Sequence, residues 1–317
     1  MKQPFSFRYQ PVLGTELHVL VACETAKSAE QAQQRVLGEI LRLEALLSTY
    51  RPESPLSQWM CAEEVGDVPG EVVTVLALAQ DWFNASRGAL HPGLGRLRAR
   101  WRQAERDGRP PNREECRRLA AQADELPYTV RTSGGVRSVH RIGDCTDLDV
   151  DALAKGWIVD RAAEAGMSSE VEWLMVNVGG DLRLVGSGSV RVAIEDPAST
   201  IDNAPPLAVA TLTPGGLASS GPARRGFQVA GQWFGHVLDP RTGWPADGAV
   251  GVTVIAADTV TADALATVVG VDGLDPPTVT ALLDETQAAV LAVSAAGAVQ
   301  LSPRWREQVT YELSANS

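Results

Sequence analysis

The chain has 317 residues, and 39 acidic against 28 basic side chains give it a formal net charge of −11 at pH 7. Nucleic-acid binding depends on clustered Lys and Arg, and the sequence has no run of five or more basic residues, so nucleic acid is excluded as an expected partner. Hydrophobic residues make up 44% and charged residues 21%, which is typical of a globular protein with a sizeable core.

The N-terminus shows no targeting pattern. It lacks the charged and then apolar order of a signal peptide, and no apolar run approaches the ~18 residues of a membrane span. The chain as it stands is therefore expected to be cytoplasmic, although a trimmed extracytoplasmic protein would look identical. The cysteines lie far apart without a Cys-x-x-Cys pair, so neither a zinc site nor a disulfide framework is predicted. They are Cys23, Cys61, Cys116 and Cys145.

The first elements read as two strands and a helix. Residues 5–22 alternate in hydrophobicity and are interrupted by Pro11 and Gly14, which predicts a strand pair with a turn. Ser28 followed by Gln31 is a capping-box pattern at a helix start. An apolar stripe at three- and four-residue spacing gives that helix one buried face. The stripe consists of Ala29, Ala32, Val36, Ile40, Leu43 and Leu47.

The next segment is predicted to be helical with one surface loop. A helix is expected over residues 71–86, ended by Gly88. Residues 106–112 are charged and proline-rich and read as a solvated loop, and a short helix follows over residues 114–123.

From residue 128 onward, short β-prone runs dominate. Strands joined by hairpins, with helices set apart from them, are typical of an α+β fold and not of an alternating parallel sheet. The predicted strands are residues 128–131, 136–142, 173–178, 181–185, 190–195, 207–212, 227–230, 233–238 and 250–256, with a closing hairpin of 290–293 and 298–301. The predicted helices are residues 152–165, 261–269 and 277–285, and residues 198–206 are predicted to be an exposed loop.

Two predicted helix starts carry side chains suited to phosphate and cation chemistry. Lys155 lies among small residues, following a presumed strand end at Asp149, and a lysine there can meet a phosphate; an exposed helix lysine is the alternative. Asp263 and Thr267 are four residues apart and share one helix face. Their oxygens suit Mg²⁺. Alternatively, Asp263 interacts with the dipole at the helix N-terminus and Thr267 only fills space.

Three turn-like segments are less specific. His236, at a strand end before a Pro and Gly turn, is either a general base or a hydrogen-bonded structural histidine. The double glycine at residues 177–181 predicts a hairpin. Residues 215–221 combine glycines and hydroxyls that suit an anion, although a simple turn is the favoured interpretation.

In their order and spacing, these segments resemble the FAD:protein FMN transferase (ApbE) family. The resemblance also takes in Leu13-Gly14-Thr15 and residues 47–54 and 88–95, so it covers nearly the whole chain. It implies one α+β domain over residues 1–317, an ApbE-like fold with a mainly antiparallel sheet and flanking helices. It further implies that FAD binds with Mg²⁺, that FMN passes through a phosphoester bond to a Thr or Ser of a target flavoprotein, and that AMP is released.

The resemblance also implies a role for each matching position. His236 is the counterpart of the proposed catalytic histidine, and Asp263, Thr267 and the carbonyl of Ala152 are the counterparts of the Mg²⁺ ligands. The flavin-nucleotide contacts are expected from Leu13, Tyr50, Ala89, Leu90, His91, Asp149, Lys155 and Val237.

Some positions depart from the family's pattern. Leu90 and His91 stand where the family usually has Phe and Asp, and neutral His91 replaces a carboxylate acceptor only in the right tautomer. Asp151 and Ala152 replace a pair of small residues, so Asp151 adds a negative charge beside the expected metal. Two other functions therefore stay open, a Mg²⁺-dependent FAD pyrophosphatase that yields FMN and AMP and a flavin-binding protein that has lost catalysis.

Overall fold

The computed structural model describes residues 3–61, 68–123, 125–143, 146–197, 199, 204–221 and 226–313. Over these residues the helices are α1 (Ala26–Leu47), α2 (Pro55–Cys61), α3 (Gly70–Ala85), α4 (Gly95–Asp107), α5 (Arg113–Gln122), α6 (Asp151–Gly166), α7 (Thr259–Asp272), α8 (Pro277–Thr286) and α9 (Pro303–Gln308). The strands are β1 (Phe5–Val12), β2 (Thr15–Cys23), β3 (Tyr128–Ser133), β4 (Val136–Arg141), β5 (Val171–Val178), β6 (Asp181–Gly186), β7 (Val190–Ile194), β8 (Ala208–Leu212), β9 (Gly215–Ser220), β10 (Gly226–Val229), β11 (Gln232–Gly235), β12 (Gly251–Ala256), β13 (Ala289–Val293), β14 (Val299–Leu301) and β15 (Tyr311–Leu313).

An eight-stranded sheet organises the fold. Its strand order is β1-β2-β5-β6-β9-β12-β13-β14. Every neighbouring pair in it is antiparallel. Two-stranded hairpins β3-β4 and β10-β11 and a three-stranded sheet β15-β8-β7 accompany it. The predicted α+β class, with a mainly antiparallel sheet and flanking helices, is confirmed.

The two faces of the large sheet bury different layers. On β13, Val290 and Ala292 join the core formed with α1, α6 and α7. The alternate residues Leu291 and Val293 pack in a second core with residues of β8 and α9. This alternation follows from the two-residue period of a strand, which sends successive side chains to opposite faces.

Helix α1 shows why the sequence pattern was informative. Each residue of its predicted apolar stripe is buried against the helical side of the sheet. The predicted N-cap, Ser28, is three residues too late, because Thr25 is the N-cap and accepts a hydrogen bond from the Ser28 backbone N–H at 3.1 Å. Ser28 instead donates its hydroxyl to Glu170.

The predicted turn at residues 215–221 is wrong, because Gly215–Ser220 forms β9 within the large sheet. Its backbone pairs with β6 over residues 215–218 and with β12 over residues 216–220. The glycines serve packing instead: a Cβ on Gly216 would lie 2.2 Å from the carbonyl carbon of Asp258, at the start of α7. Helices α2, α4 and α9 and strand β15 were also missing from the sequence prediction.

The remaining expectations are largely matched. The double-glycine hairpin joins β5 and β6, and the closing hairpin is β13 and β14. Strand β11 ends at Gly235, three residues earlier than predicted. Cys23, Cys61 and Cys116 are free thiols, whereas Cys145 and most of the loop predicted at residues 198–206 lie outside the described residues. Among the residues described, no helix is long and apolar enough to cross a membrane.

Candidate active site

A cleft of about 1100 Å³ lies where one end of the large sheet meets the helices. The β1-β2 turn, the β5-β6 turn, the end of β9 and the start of β12 line it from the sheet side, and the start of α6 and a face of α7 line it from the helical side. All twelve residues that the resemblance assigns to the site line this cleft, namely Leu13, Tyr50, Ala89, Leu90, His91, Asp149, Ala152, Lys155, His236, Val237, Asp263 and Thr267.

Helices α6 and α7 approach each other at backbone distance. A Cβ on Gly156 would lie 2.8 Å from the carbonyl oxygen of Thr259 and 3.1 Å from the Cβ of Asp263. A residue without a side chain is therefore required at this contact. Asp160, one turn after Gly156 on α6, also contacts the start of α7.

Asp160 fixes that contact. Its two carboxylate oxygens accept hydrogen bonds from the backbone N–H groups of Thr259 at 2.8 Å and Val260 at 2.9 Å. These are among the N–H groups that a helix start leaves without intrahelical partners. Burial raises the pKa of Asp160, and the backbone hydrogen bonds and the charge of Arg183 oppose that rise.

Three oxygen-bearing residues of these two helices line the cleft. Ala152 lies one turn before Gly156 on α6, and Asp263 and Thr267 lie one turn apart on α7. A carboxylate, a hydroxyl and a carbonyl are hard oxygen ligands, and Mg²⁺ commonly takes few protein ligands and keeps water or phosphate oxygens. The donor set therefore fits Mg²⁺.

The same set does not make a dense metal centre. In the part of the chain that the structure describes, no group of three or more His, Cys, Asp and Glu side chains could hold a metal ion. A cation bound by Asp263, Thr267 and Ala152 would therefore depend on a single carboxylate. Oxygen atoms from a substrate or from water would have to complete its coordination.

Lys155 is paired with a carboxylate that sequence reasoning missed. Its Nζ lies 2.8 Å from Oδ2 of Asp181, the first residue of β6. The Asp181 side chain is 1% exposed and that of Lys155 is 15% exposed. A buried carboxylate without a counter-ion is strongly unfavourable, so the pair fixes Lys155 at the cleft wall. The sequence signal was a charged residue directly after Gly179-Gly180, where a hairpin needs none.

Asp149 lies in a loop before α6, so the prediction that placed it at a strand end is wrong. Its Oδ2 lies 2.7 Å from Nη1 of Arg98 on α4, and its Oδ1 accepts the backbone N–H of Asp151 at 3.1 Å. Burial raises the pKa of Asp149, the charge of Arg98 opposes the rise and the charge of Asp151 adds to it. Arg98 gave no sequence signal, since α4 also carries Arg96, Arg100 and Arg102.

Tyr50 stands at the edge of the cleft and is 62% exposed. Its hydroxyl donates to Oδ2 of Asp151 at 3.2 Å and accepts from Nη2 of Arg102 at 2.9 Å. Arg98 also reaches Asp151, at 3.4 Å. We call Tyr50, Arg98, Arg102, Asp149 and Asp151 the rim cluster.

Leu13 occupies a strained position in the β1-β2 turn. Val12 pairs with Thr15, and the two residues between them have positive φ, 49° at Leu13 and 71° at Gly14. Positive φ at both central residues is the type I′ pattern of a two-residue hairpin, and a left-handed leucine costs about 1–2 kcal/mol. The turn holds the Leu13 side chain against the main core and beside the cleft.

His91 makes a local bond that settles its tautomer. Its Nδ1 accepts the backbone N–H of Gly93 at 2.9 Å, so a neutral ring carries its proton on Nε2. The ring also packs edge-on against Phe83, with the centroids 4.8 Å apart. An aspartate commonly makes the same side-chain bond to the N–H two residues on. His91 therefore reproduces the turn contact that an aspartate would make.

His236 follows β11 directly and lines the cleft. The next residues form a tight turn in which the Val237 carbonyl accepts from Ala246 and the Asp239 N–H donates to Trp244. Val237 also packs against the main core. Backbone hydrogen bonds and core packing thus hold the segment that follows His236.

Comparisons with known proteins agree with this architecture. The profile of the ApbE family matches residues 13–292. The FAD:protein FMN transferase of Haemophilus influenzae is 28% identical over 275 residues, which cover 83% of this chain and 79% of that protein. That of Vibrio cholerae is 29% identical over 272 residues, covering 81% of this chain and 78% of that protein.

Solved structures extend the match to almost the full length. The ApbE protein of Thermotoga maritima superposes with a TM-score of 0.83 at 27% identity, covering 96% of this chain and 98% of that one. The flavin transferase ApbE of Vibrio cholerae gives 0.75 at 25% identity, covering 96% and 99%. By its sequence profile, and with a cleft lined by each position that the resemblance singled out, this chain belongs to the ApbE family.

Proposed function

We propose that this chain, as a single domain over residues 1–317, is a Mg²⁺-dependent FAD:protein FMN transferase. It would move FMN from FAD to a Thr or Ser hydroxyl of an acceptor flavoprotein through a phosphoester bond and release AMP. The observation that carries the proposal is one cleft, in a chain of the ApbE family, that is lined by all twelve matching positions. Relatives of this length bear the name FAD:protein FMN transferase.

The reaction exchanges the phosphoanhydride bond of FAD for a phosphoester bond to the acceptor. The acceptor hydroxyl oxygen forms a bond to the FMN phosphorus, and the bond from that phosphorus to the AMP phosphate oxygen breaks. The hydroxyl proton goes to the imidazole of His236, which acts as general base, and AMP leaves with the electron pair of the broken bond. The position of His236 on the cleft wall supports this role.

Asp263, Thr267 and the carbonyl of Ala152 would hold Mg²⁺. Bound there, the ion would supply positive charge that offsets the negative charge of the pyrophosphate oxygens. The proposed nucleotide contacts come from the remaining residues around the cleft, with Tyr50 packing on FAD and Lys155 and Asp149 providing fixed charges. These contacts are Leu13, Tyr50, Ala89, Leu90, His91, Asp149, Lys155 and Val237.

The proposal is tested by incubating the protein with FAD, Mg²⁺ and a candidate acceptor, followed by denaturing-gel flavin fluorescence and AMP analysis. Covalent fluorescence with an equal amount of AMP supports transfer. AMP without covalent flavin supports the pyrophosphatase, and FAD binding without either product supports a binding protein. The last two outcomes contradict transfer.

The metal assignment has its own matched test. Replacing Asp263 by Ala should lower Mg²⁺-dependent transfer by about 100-fold or more, because the only carboxylate of the proposed ligand set is removed. Asp272→Ala is the control, since Asp272 lies at the far end of the same helix and pairs with Arg241 at 2.9 Å. Normal transfer by Asp263→Ala, or equal loss in both variants, would show that the assignment is wrong.

A further inference from the structure

The ring of Tyr50 is unusually constrained for an exposed side chain. It is 62% exposed, yet its hydroxyl both donates to Asp151 and accepts from Arg102. Arg102 lies on α4 and Asp151 begins α6, so two helices hold one hydroxyl. The Arg102 guanidinium carbon also lies 5.4 Å from the ring centroid.

Asp151 is itself held by the rim cluster. Nη1 of Arg98 lies 3.4 Å from Oδ2 of Asp151, and the backbone N–H of Asp151 donates to Asp149 at 3.1 Å. Arg98 is in turn tied to Asp149 at 2.7 Å. The acceptor that Tyr50 uses therefore stays in place at the start of α6, and the ring can remain in one orientation at the edge of the cleft.

We infer that Asp151 is a positioning residue for FAD, which acts through the hydroxyl of Tyr50. The inference rests on the proposed function, in which Tyr50 packs on FAD. An exposed aromatic ring that is free to rotate loses that freedom when a ligand stacks on it, and this loss weakens binding. The bond from Tyr50 to Asp151 restricts the ring beforehand, so FAD meets a preformed stacking surface.

The test is a double-mutant cycle read as the FAD dissociation constant, measured with Mg²⁺ by the change in flavin fluorescence. Tyr50→Phe keeps the ring and removes the hydroxyl, and Asp151→Ala removes the acceptor. Each should weaken FAD binding by about 3- to 10-fold, since one immobilised side chain carries a cost of that order. The double variant should bind no more weakly than Tyr50→Phe alone, because Tyr50→Phe already removes the bond that Asp151→Ala breaks.

Two further variants separate positioning from charge. Asp151→Asn keeps a carbonyl oxygen that can accept from Tyr50 and removes the negative charge, so its FAD affinity should stay within about 2-fold of the unmodified protein. Glu44→Ala removes another carboxylate from the cleft lining, on α1, and should leave the affinity unchanged. Thermal unfolding of each variant checks that the fold is retained.

The outcomes distinguish the inference from the function on which it rests. Unchanged affinity in Asp151→Ala or Tyr50→Phe, or additive losses in the double variant, would overturn the inference while FAD binding by the unmodified protein still supports the function. Asp151→Asn as weak as Asp151→Ala would mean that charge matters and not the bond, and would also overturn it. Failure of the unmodified protein to bind FAD would overturn both.

Discussion

The two sides of the cleft are built in different ways. At the α6-α7 interface, Gly156 and Asp160 bring two helices into backbone contact, and a Cβ at Gly156 would have no room. The rim cluster uses long, partly exposed side chains, with Asp151 43% exposed and Arg98 24% exposed. Packed backbone transmits a small change into strain, whereas partly exposed ion pairs contribute little to stability. The proposed metal ligands thus depend on packed backbone, and the orientation of Tyr50 depends on hydrogen bonds between side chains.

Lys155→Met should give the largest loss of stability, because it leaves the buried carboxylate of Asp181 without its counter-ion. We expect the free energy of unfolding to fall by about 3–5 kcal/mol, measured by urea denaturation. The double variant Lys155→Met with Asp181→Leu should recover most of this loss, since both charges are then gone. If the double variant is no more stable than the single one, the pair is not the cause.

Asp160→Ala should give the next largest loss of stability, at the α6-α7 interface. The buried N–H of Thr259 and the N–H of Val260 lose their acceptor, which should lower stability by about 2–5 kcal/mol and weaken Mg²⁺ binding as α7 shifts. Urea denaturation and Mg²⁺ titration measure the two effects. The stability of Asp160→Asn should lie between that of the unmodified protein and that of Asp160→Ala, since its amide has a single acceptor oxygen. If Asp160→Ala lowers the free energy of unfolding by less than about 1 kcal/mol, these two hydrogen bonds do not stabilise the helix contact as described.

The same substitution at two helical glycines should have opposite signs. Gly156→Ala places a Cβ 2.8 Å from the Thr259 carbonyl oxygen and should destabilise the protein by about 1–3 kcal/mol. Gly38→Ala on α1 has no heavy atom within 4 Å of its new Cβ and should stabilise by roughly 0.5–1 kcal/mol. Equal shifts in melting temperature would show that α6 and α7 are not in the close contact described.

The smallest effect is expected at His91. Because its Nδ1 accepts the Gly93 N–H as an aspartate oxygen would, His91→Asp should change FAD affinity by less than about 2-fold. The FAD dissociation constant measures this directly. A tenfold gain in affinity would mean that the family's carboxylate contacts the nucleotide and that this chain has lost that contact.

Much of the fold could be predicted from residue patterns alone. The stripe on α1 and the alternation in the strands each report a buried face, because burial of apolar side chains follows the periods of helix and strand. Strand β9 could not be predicted this way. Its sequence Gly-Gly-Leu-Ala-Ser-Ser has little β propensity, and its place in the sheet depends on neighbours that demand small residues, such as the start of α7 beside Gly216.

The sequence by itself determined the α+β class, the family resemblance and the twelve candidate site residues, because these depend on residue type, order and spacing. The tertiary structure decided which charges meet. Lys155 pairs with Asp181, Arg98 with Asp149, and Tyr50 with Asp151, which is 101 positions away in the chain. No local pattern encodes such pairs, since each depends on how helices α4 and α6 and the sheet are packed around one cleft.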